Sequence, residues 1–175
     1  MTKLTEDIIV KLAREFQLDT TCVKAVIKVE SSGSGFSKDT SKIVIQFEPY
    51  HFQMRTGVRI ANGVENQTKE WLAFNEAFKL HPTEAMESTS WGLGQVMGFN
   101  HEAAGYKTVD AMLDDFKLGE EQQLRGMLNF IKSNKTMYNA LKTKKWDVFA
   151  SCYNGKYYKK FNYDTRLQAA YETVN

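Results

Sequence analysis

The sequence has 175 residues but only two cysteines and three histidines. That scarcity excludes a disulfide framework and leaves no pattern for a metal ribbon. Cys22 and Cys152 both fall in apolar helical patterns and read as small core residues of a reduced chain, with a bridge between them as the lesser alternative. His51, His81 and His101 stand alone. His101-Glu102-Ala103-Ala104-Gly105 opens like a zinc-protease helix, but Gly105 occupies the place of the second His. No metal and no cofactor are expected. No apolar run approaches the ~18 residues that would span a bilayer. The formal net charge of +2 is too small for the basic footprint of a nucleic-acid binder. Gly33-Ser34-Gly35 and Gly92-Leu93-Gly94 lack the third glycine and flanking strand of a phosphate loop. Repeats and low-complexity tracts are absent.

What is present suffices for a folded core: 42% of residues are hydrophobic and 13% aromatic. The length fits a single domain over residues 1–175. Thr5 can cap a first helix with Ile8, Ile9, Leu12, Ala13 and Phe16 on its apolar face. Asp19 or Thr20 then caps a second helix that runs to Glu30, with Gly33 as a left-handed cap. Residues 43–48 alternate like a short strand, with Ile43, Ile45 and Phe47 inward and Val44, Gln46 and Glu48 outward. Pro49 and Pro82 each suit the first turn of a helix. The stretch 57–63 is a candidate second strand. Residues 68–80 are helical. Residues 88–99 are too glycine-rich for an isolated helix. Further helices are expected over 108–116, 120–133, 135–141, 147–153 (with Asp147 as cap) and 163–173. The chain reads as mainly α with one small β element.

Two carboxylates stand out. Cys22, Val23, Val26 and Ile27 share a helix face with Glu30, so its carboxyl sits on an apolar stripe where ionisation is costly. Glu48 projects from the outer face of a strand. Two carboxyls in different environments can divide acid and base work, as glycosidic cleavage requires. Asp39, in the loop between them, is a rival for the second role. Gln95, Tyr153 and Asn154 are neutral hydrogen-bonding groups beside glycines, of the kind that hold sugars and acetamido groups. Lys142, Lys144, Lys145, Lys156, Lys159 and Lys160 form a basic set that could meet an anionic polymer or simply be a solvated face.

Glu30-Ser31 at a helix end resembles the catalytic Glu-Ser of the lysozyme-like superfamily, which includes goose-type lysozymes and lytic transglycosylases. Ser90-Trp91-Gly92-Leu93-Gly94-Gln95-Val96-Met97 resembles its S-x-G-L-x-Q-x-M motif. Cys152-Tyr153-Asn154-Gly155 resembles its A-Y-N-x-G motif, without the Ala and with the Gly one place early. Phe47-Glu48-Pro49-Tyr50-His51-Phe52 and residues 90–100 are closer still to the N-acetylmuramidase domain of bacteriophage endolysins. The resemblance spans about residues 20 to 160.

It implies a lysozyme-like fold, with a helical lobe, a small β lobe and a cleft between them. It implies cleavage of the β-1,4 bond between N-acetylmuramic acid and N-acetylglucosamine in peptidoglycan. Glu30 would be the general acid and Glu48 the second carboxylate. Ser31, Gln95, Tyr153 and Asn154 would line the cleft and hold the sugar or Glu30. The expected partner is the glycan strand, met by a monomer without nucleic acid or membrane insertion. Met1 to Asp7 carry acids where a secretory signal would be apolar. The expected location is therefore the host bacterial cytoplasm, with release to the wall through a holin pore. A lytic transglycosylase giving 1,6-anhydro products is the nearest alternative. A non-catalytic wall-binding module is the more distant one.

Overall fold

The computed structural model describes residues 2–61 and 66–174. Among them are ten α-helices and one three-stranded sheet. The helices are α1 (Glu6–Glu15), α2 (Thr20–Ser31), α3 (Pro49–Thr56), α4 (Gln67–Leu80), α5 (Pro82–Glu87), α6 (Val109–Phe116), α7 (Glu120–Ser133), α8 (Lys135–Lys142), α9 (Trp146–Tyr153) and α10 (Tyr163–Thr173). The strands are β1 (Ile45–Phe47), β2 (Thr89–Trp91) and β3 (Val96–Met97). No helix among the described residues is long and apolar enough to cross a membrane.

Local chemistry sets most boundaries. Thr5 accepts from Ile8 N and Asp19 from Thr21 N, so each satisfies an orphan donor at its helix start. Asn66 and Asn134 do the same for α4 and α8. The end of α2 differs from expectation: Ser32, at φ 56°, is the left-handed cap, and Gly33 follows at φ 92°. At α9 the cap position belongs to Lys145, with no side-chain bond, and Asp147 lies inside the first turn. There its charge favours the helix dipole without capping.

The sheet runs β1-β2-β3, antiparallel throughout, with Ile45 opposite Trp91 and Ser90 opposite Met97. Residues 57–61 form no strand, and 62–65 lie outside the described residues. The partners of β1 come instead from the glycine-rich motif at 88–99. The free edge of β1 is occupied by side chains of α4. Gln67 Oε1 accepts from Ile45 N and its Nε2 donates to Ile45 O, both at 2.9 Å. Glu70 Oε2 accepts from Phe47 N at 2.9 Å, and Trp71 Nε1 donates to Ile43 O at 3.1 Å. A helix thus supplies the hydrogen bonds of a missing strand and closes an edge that would otherwise invite pairing.

The hairpin between β2 and β3 is fixed to the helical body by Gln123 of α7, which is fully buried. Gln123 Oε1 accepts from Leu93 N at 2.8 Å and Nε2 donates to Phe116 O at 3.1 Å. Gly92 permits this approach: it has φ +68°, and a Cβ there would lie 2.5 Å from Gln123 Oε1. On the other side of the body, α10 packs along α2. Arg166 Nη2 donates to Val29 O at 3.0 Å, one residue before Glu30.

Candidate active site

α2 carries its buried stripe (Cys22, Val23, Val26 and Ile27) into the core, and Glu30 emerges at its last turn, half-buried. It opens onto a cleft of about 1040 Å³. Glu48 reaches the same cleft from the end of β1, where it is the N-cap residue of α3 without a side-chain cap bond. Its carboxyl is thereby not spent on the helix end.

The two acids have different surroundings. Burial raises the Glu30 pKa to about 7, opposed by the hydrogen bond from Asn154 and the charge of Arg166. Asn154 Nδ2 donates to Glu30 Oε1 at 2.9 Å. The Glu48 pKa is also raised, by burial and then by the neighbouring Glu70 carboxylate. The Gln46 amide, donating to Glu48 Oε1 at 2.8 Å, works the other way by favouring the anion.

Tyr153 and Asn154 both line the cleft. Tyr153 OH donates to Gly94 O at 2.5 Å, tying α9 to the hairpin. Its ring stacks on Phe149 with centroids 5.3 Å apart. Burial, together with the Glu30 charge, pushes the Tyr153 pKa well above the usual phenol value, so it stays a donor. Gln95 lines the cleft too, but its amide is already committed. Nε2 donates to Gly92 O at 2.8 Å and Val44 O at 3.3 Å, while Oε1 accepts from Ser90 Oγ at 2.9 Å. Those bonds make it a brace of the hairpin. Ser31 is not part of the lining: its Oγ donates back to Ile27 O at 3.2 Å. Asp39 is exposed and also off the cleft, so the geometry leaves Glu48 as the second carboxyl there.

Two cleft groups, and an arginine behind one of them, escape a sequence reading. His51, one turn after Glu48, lines the cleft with its pKa lowered by burial and by Arg55. Tyr163, at the start of α10, feels the charges of both Glu30 and Glu48. Arg166 lies against its ring, 4.9 Å from the centroid. Only the His51 position carried a hint, its place beside the Phe-Glu-Pro segment. Tyr163 and Arg166 reach Glu30 through helix packing from more than a hundred residues away, which spacing cannot show. Cys22 is buried and free, with a thiol pushed up to about 11, and Cys152 is also free.

The cleft thus holds a carboxyl whose pKa burial raises to about 7, a second carboxyl, and neutral polar groups and aromatic rings along its walls. That set can protonate a bridging ether oxygen and steady a developing cation. The family model for N-acetylmuramidase matches residues 19–175. The crystal structure of the Burkholderia AP3 phage endolysin superposes with a TM-score of 0.84 at 34% sequence identity, covering 97% of this chain and 70% of that one. No curated protein matches the chain. A mainly helical body with a small three-stranded sheet is what that endolysin fold has in common with this one. The chain belongs to the N-acetylmuramidase family.

Proposed function

We propose that the protein is a peptidoglycan hydrolase that cuts the β-1,4 bond between N-acetylmuramic acid and N-acetylglucosamine, with Glu30 as general acid. The observation that carries this is the Glu30 carboxyl, raised to about 7 by burial yet open to the cleft. An acid with that pKa is largely protonated below neutrality and ready to protonate the leaving oxygen. As the glycosidic bond breaks, the proton leaves Glu30 and the electron pair goes to the departing oxygen. The sugar ring is left with oxocarbenium character.

Glu48 is the group placed to handle that cation or the incoming water, and the Gln46 amide helps it hold negative charge. Asn154 suits both protonation states of Glu30. Its amide N–H stabilises the carboxylate formed on proton transfer, and an amide turned over accepts from the acid. Tyr153 holds α9 and the hairpin in register so that Asn154 stays on Glu30.

Mass spectrometry of the products tests the reaction. Hydrolysis gives reducing N-acetylmuramic ends, one water heavier than the 1,6-anhydro ends of a transglycosylase. Anhydro products would assign the nucleophile to the sugar's own 6-hydroxyl and remove the water-handling role of Glu48. Binding without fragments would overturn the enzyme reading.

A further inference from the structure

After Asn154 and Gly155 the chain runs Lys156-Tyr157-Tyr158-Lys159-Lys160-Phe161, a segment that meets the cleft through two of its rings. Tyr157 is 62% exposed and Phe161 56% exposed, and both line the cleft. Rings left open to water on a cleft wall favour a ligand with an apolar face, and a pyranose has one. The segment is shaped for display. Gly155 at φ 77° and Asn162 at φ 53° turn the chain at either end, and residues 158–161 form a 3-10 turn.

The lysines add a second property. Lys156, Lys159 and Lys160 are exposed, and each ammonium rests over the neighbouring ring, at 4.9, 5.9 and 5.7 Å from the centroid. None of the three has a carboxylate partner among the described residues. Lys144 of the other basic group is instead 3.5 Å from Asp19 and stacked on Tyr171. Lys156 and Lys160 thus sit against the two rings that line the cleft, and Lys159 lies between them in the chain, over Tyr158. A cleft for a neutral polysaccharide has no use for unpaired cations against the rings of its wall. A strand bearing carboxylates does, because each cation can meet an anion while the rings take the sugar faces.

We propose that residues 156–161 form a specificity lip that recognises carboxylates borne on the lactyl arm of the muramic residues. The enzyme would then favour acidic glycan over neutral glycan of the same backbone. This rests on the wall-glycan reading above. The shared chemistry is a carboxylate on that arm. It comes either from the lactyl group itself, where no peptide is attached, or from the peptide attached there.

The test is equilibrium binding in a Glu30→Gln background, where the ligand is not consumed. Three soluble ligands are compared: peptide-bearing glycan strands, the same strands stripped of peptide by an amidase, and neutral N-acetylglucosamine oligomers. The parent should bind the carboxylate-bearing strands about tenfold more tightly than the neutral oligomers at low salt, a ratio that three exposed charge pairs can supply. High salt should erase the ratio. The triple variant Lys156→Gln, Lys159→Gln, Lys160→Gln should lose it, and the triple Lys→Arg variant should keep it. Preference for peptide-bearing over stripped strands assigns the peptide carboxylates; preference for the stripped strands, whose lactyl carboxyl the amidase has freed, assigns the lactyl group; equal binding of the two, above the neutral oligomers, assigns either carboxylate alike. A Gln triple that keeps the ratio, or a parent that binds all three ligands alike, overturns the lip. A parent that binds none of them overturns the wall-glycan reading itself, a separate outcome.

Discussion

Asn154 Nδ2 lies 2.9 Å from Glu30 Oε1, so the α9 end supplies the one side-chain hydrogen bond that the acid at the α2 end makes among the described residues. That bond favours the carboxylate and holds the Glu30 pKa below where burial alone would put it. Asn154→Ala should therefore raise the pKa further. The alkaline limb of the pH–rate profile, near 7 in the parent, should move up, while the maximal rate falls because the product carboxylate loses its donor. A profile with an unmoved limb would separate Asn154 from the titration of Glu30.

Glu48 and Glu70 offer a second handle. The Glu70 charge helps raise the Glu48 pKa. Glu70→Gln removes the charge but can still accept from Phe47 N. Glu48 should then ionise at lower pH, and the acidic limb of the profile should shift down with it. Glu48→Gln should keep the fold and lose at least about tenfold in rate. Full rate in Glu48→Gln would remove its role.

The same burial that tunes Glu30 carries a cost in stability. The native state holds the Glu30 proton more tightly than the unfolded chain, whose value is near 4.5. The stability contributed is thus fully present below 4.5 and lost as pH rises through about 7. The full span corresponds to roughly 3 kcal/mol, at ~1.4 kcal/mol per pH unit. A neutral Gln escapes the loss. Glu30→Gln should melt close to wild type at pH 5 and several degrees above it at pH 8. Parallel melting curves at both pH values would contradict the raised pKa.

Gln123 tests what holds the hairpin. Gln123→Leu leaves Leu93 N and Phe116 O buried without partners. Thermal unfolding should show a loss of about 2–4 kcal/mol. Gly92→Ala should also destabilise, because its Cβ meets Gln123 in a backbone conformation that strains L residues. A neutral effect of both would mean that the hairpin is anchored elsewhere.

Periodicity and caps made the helices legible. Residues 120–133 and 163–173 form the helices their patterns predict, and Thr5 and Asp19 cap as their positions suggest. The sheet was only half legible. Residues 45–47 alternate and read as a strand, but β2 is buried at all three positions and β3 has two residues. Neither can show a period of two. The cap of α2 falls one residue before the glycine, at Ser32, a residue whose type gives no sign of a left-handed conformation. In the cleft, Glu30 announced itself by its apolar stripe and Glu48 by strand parity. Gln95 looked like a ligand group because sequence does not reveal that its amide is bonded to Gly92, Val44 and Ser90.

Release of reducing ends from purified peptidoglycan by Glu30→Gln, at a pH where its melting matches wild type, tests the central claim most directly. A proton donor at position 30 predicts a fall of about a hundredfold or more, with wall binding retained. Release within a few-fold of wild type would contradict it and move the acid elsewhere in the cleft.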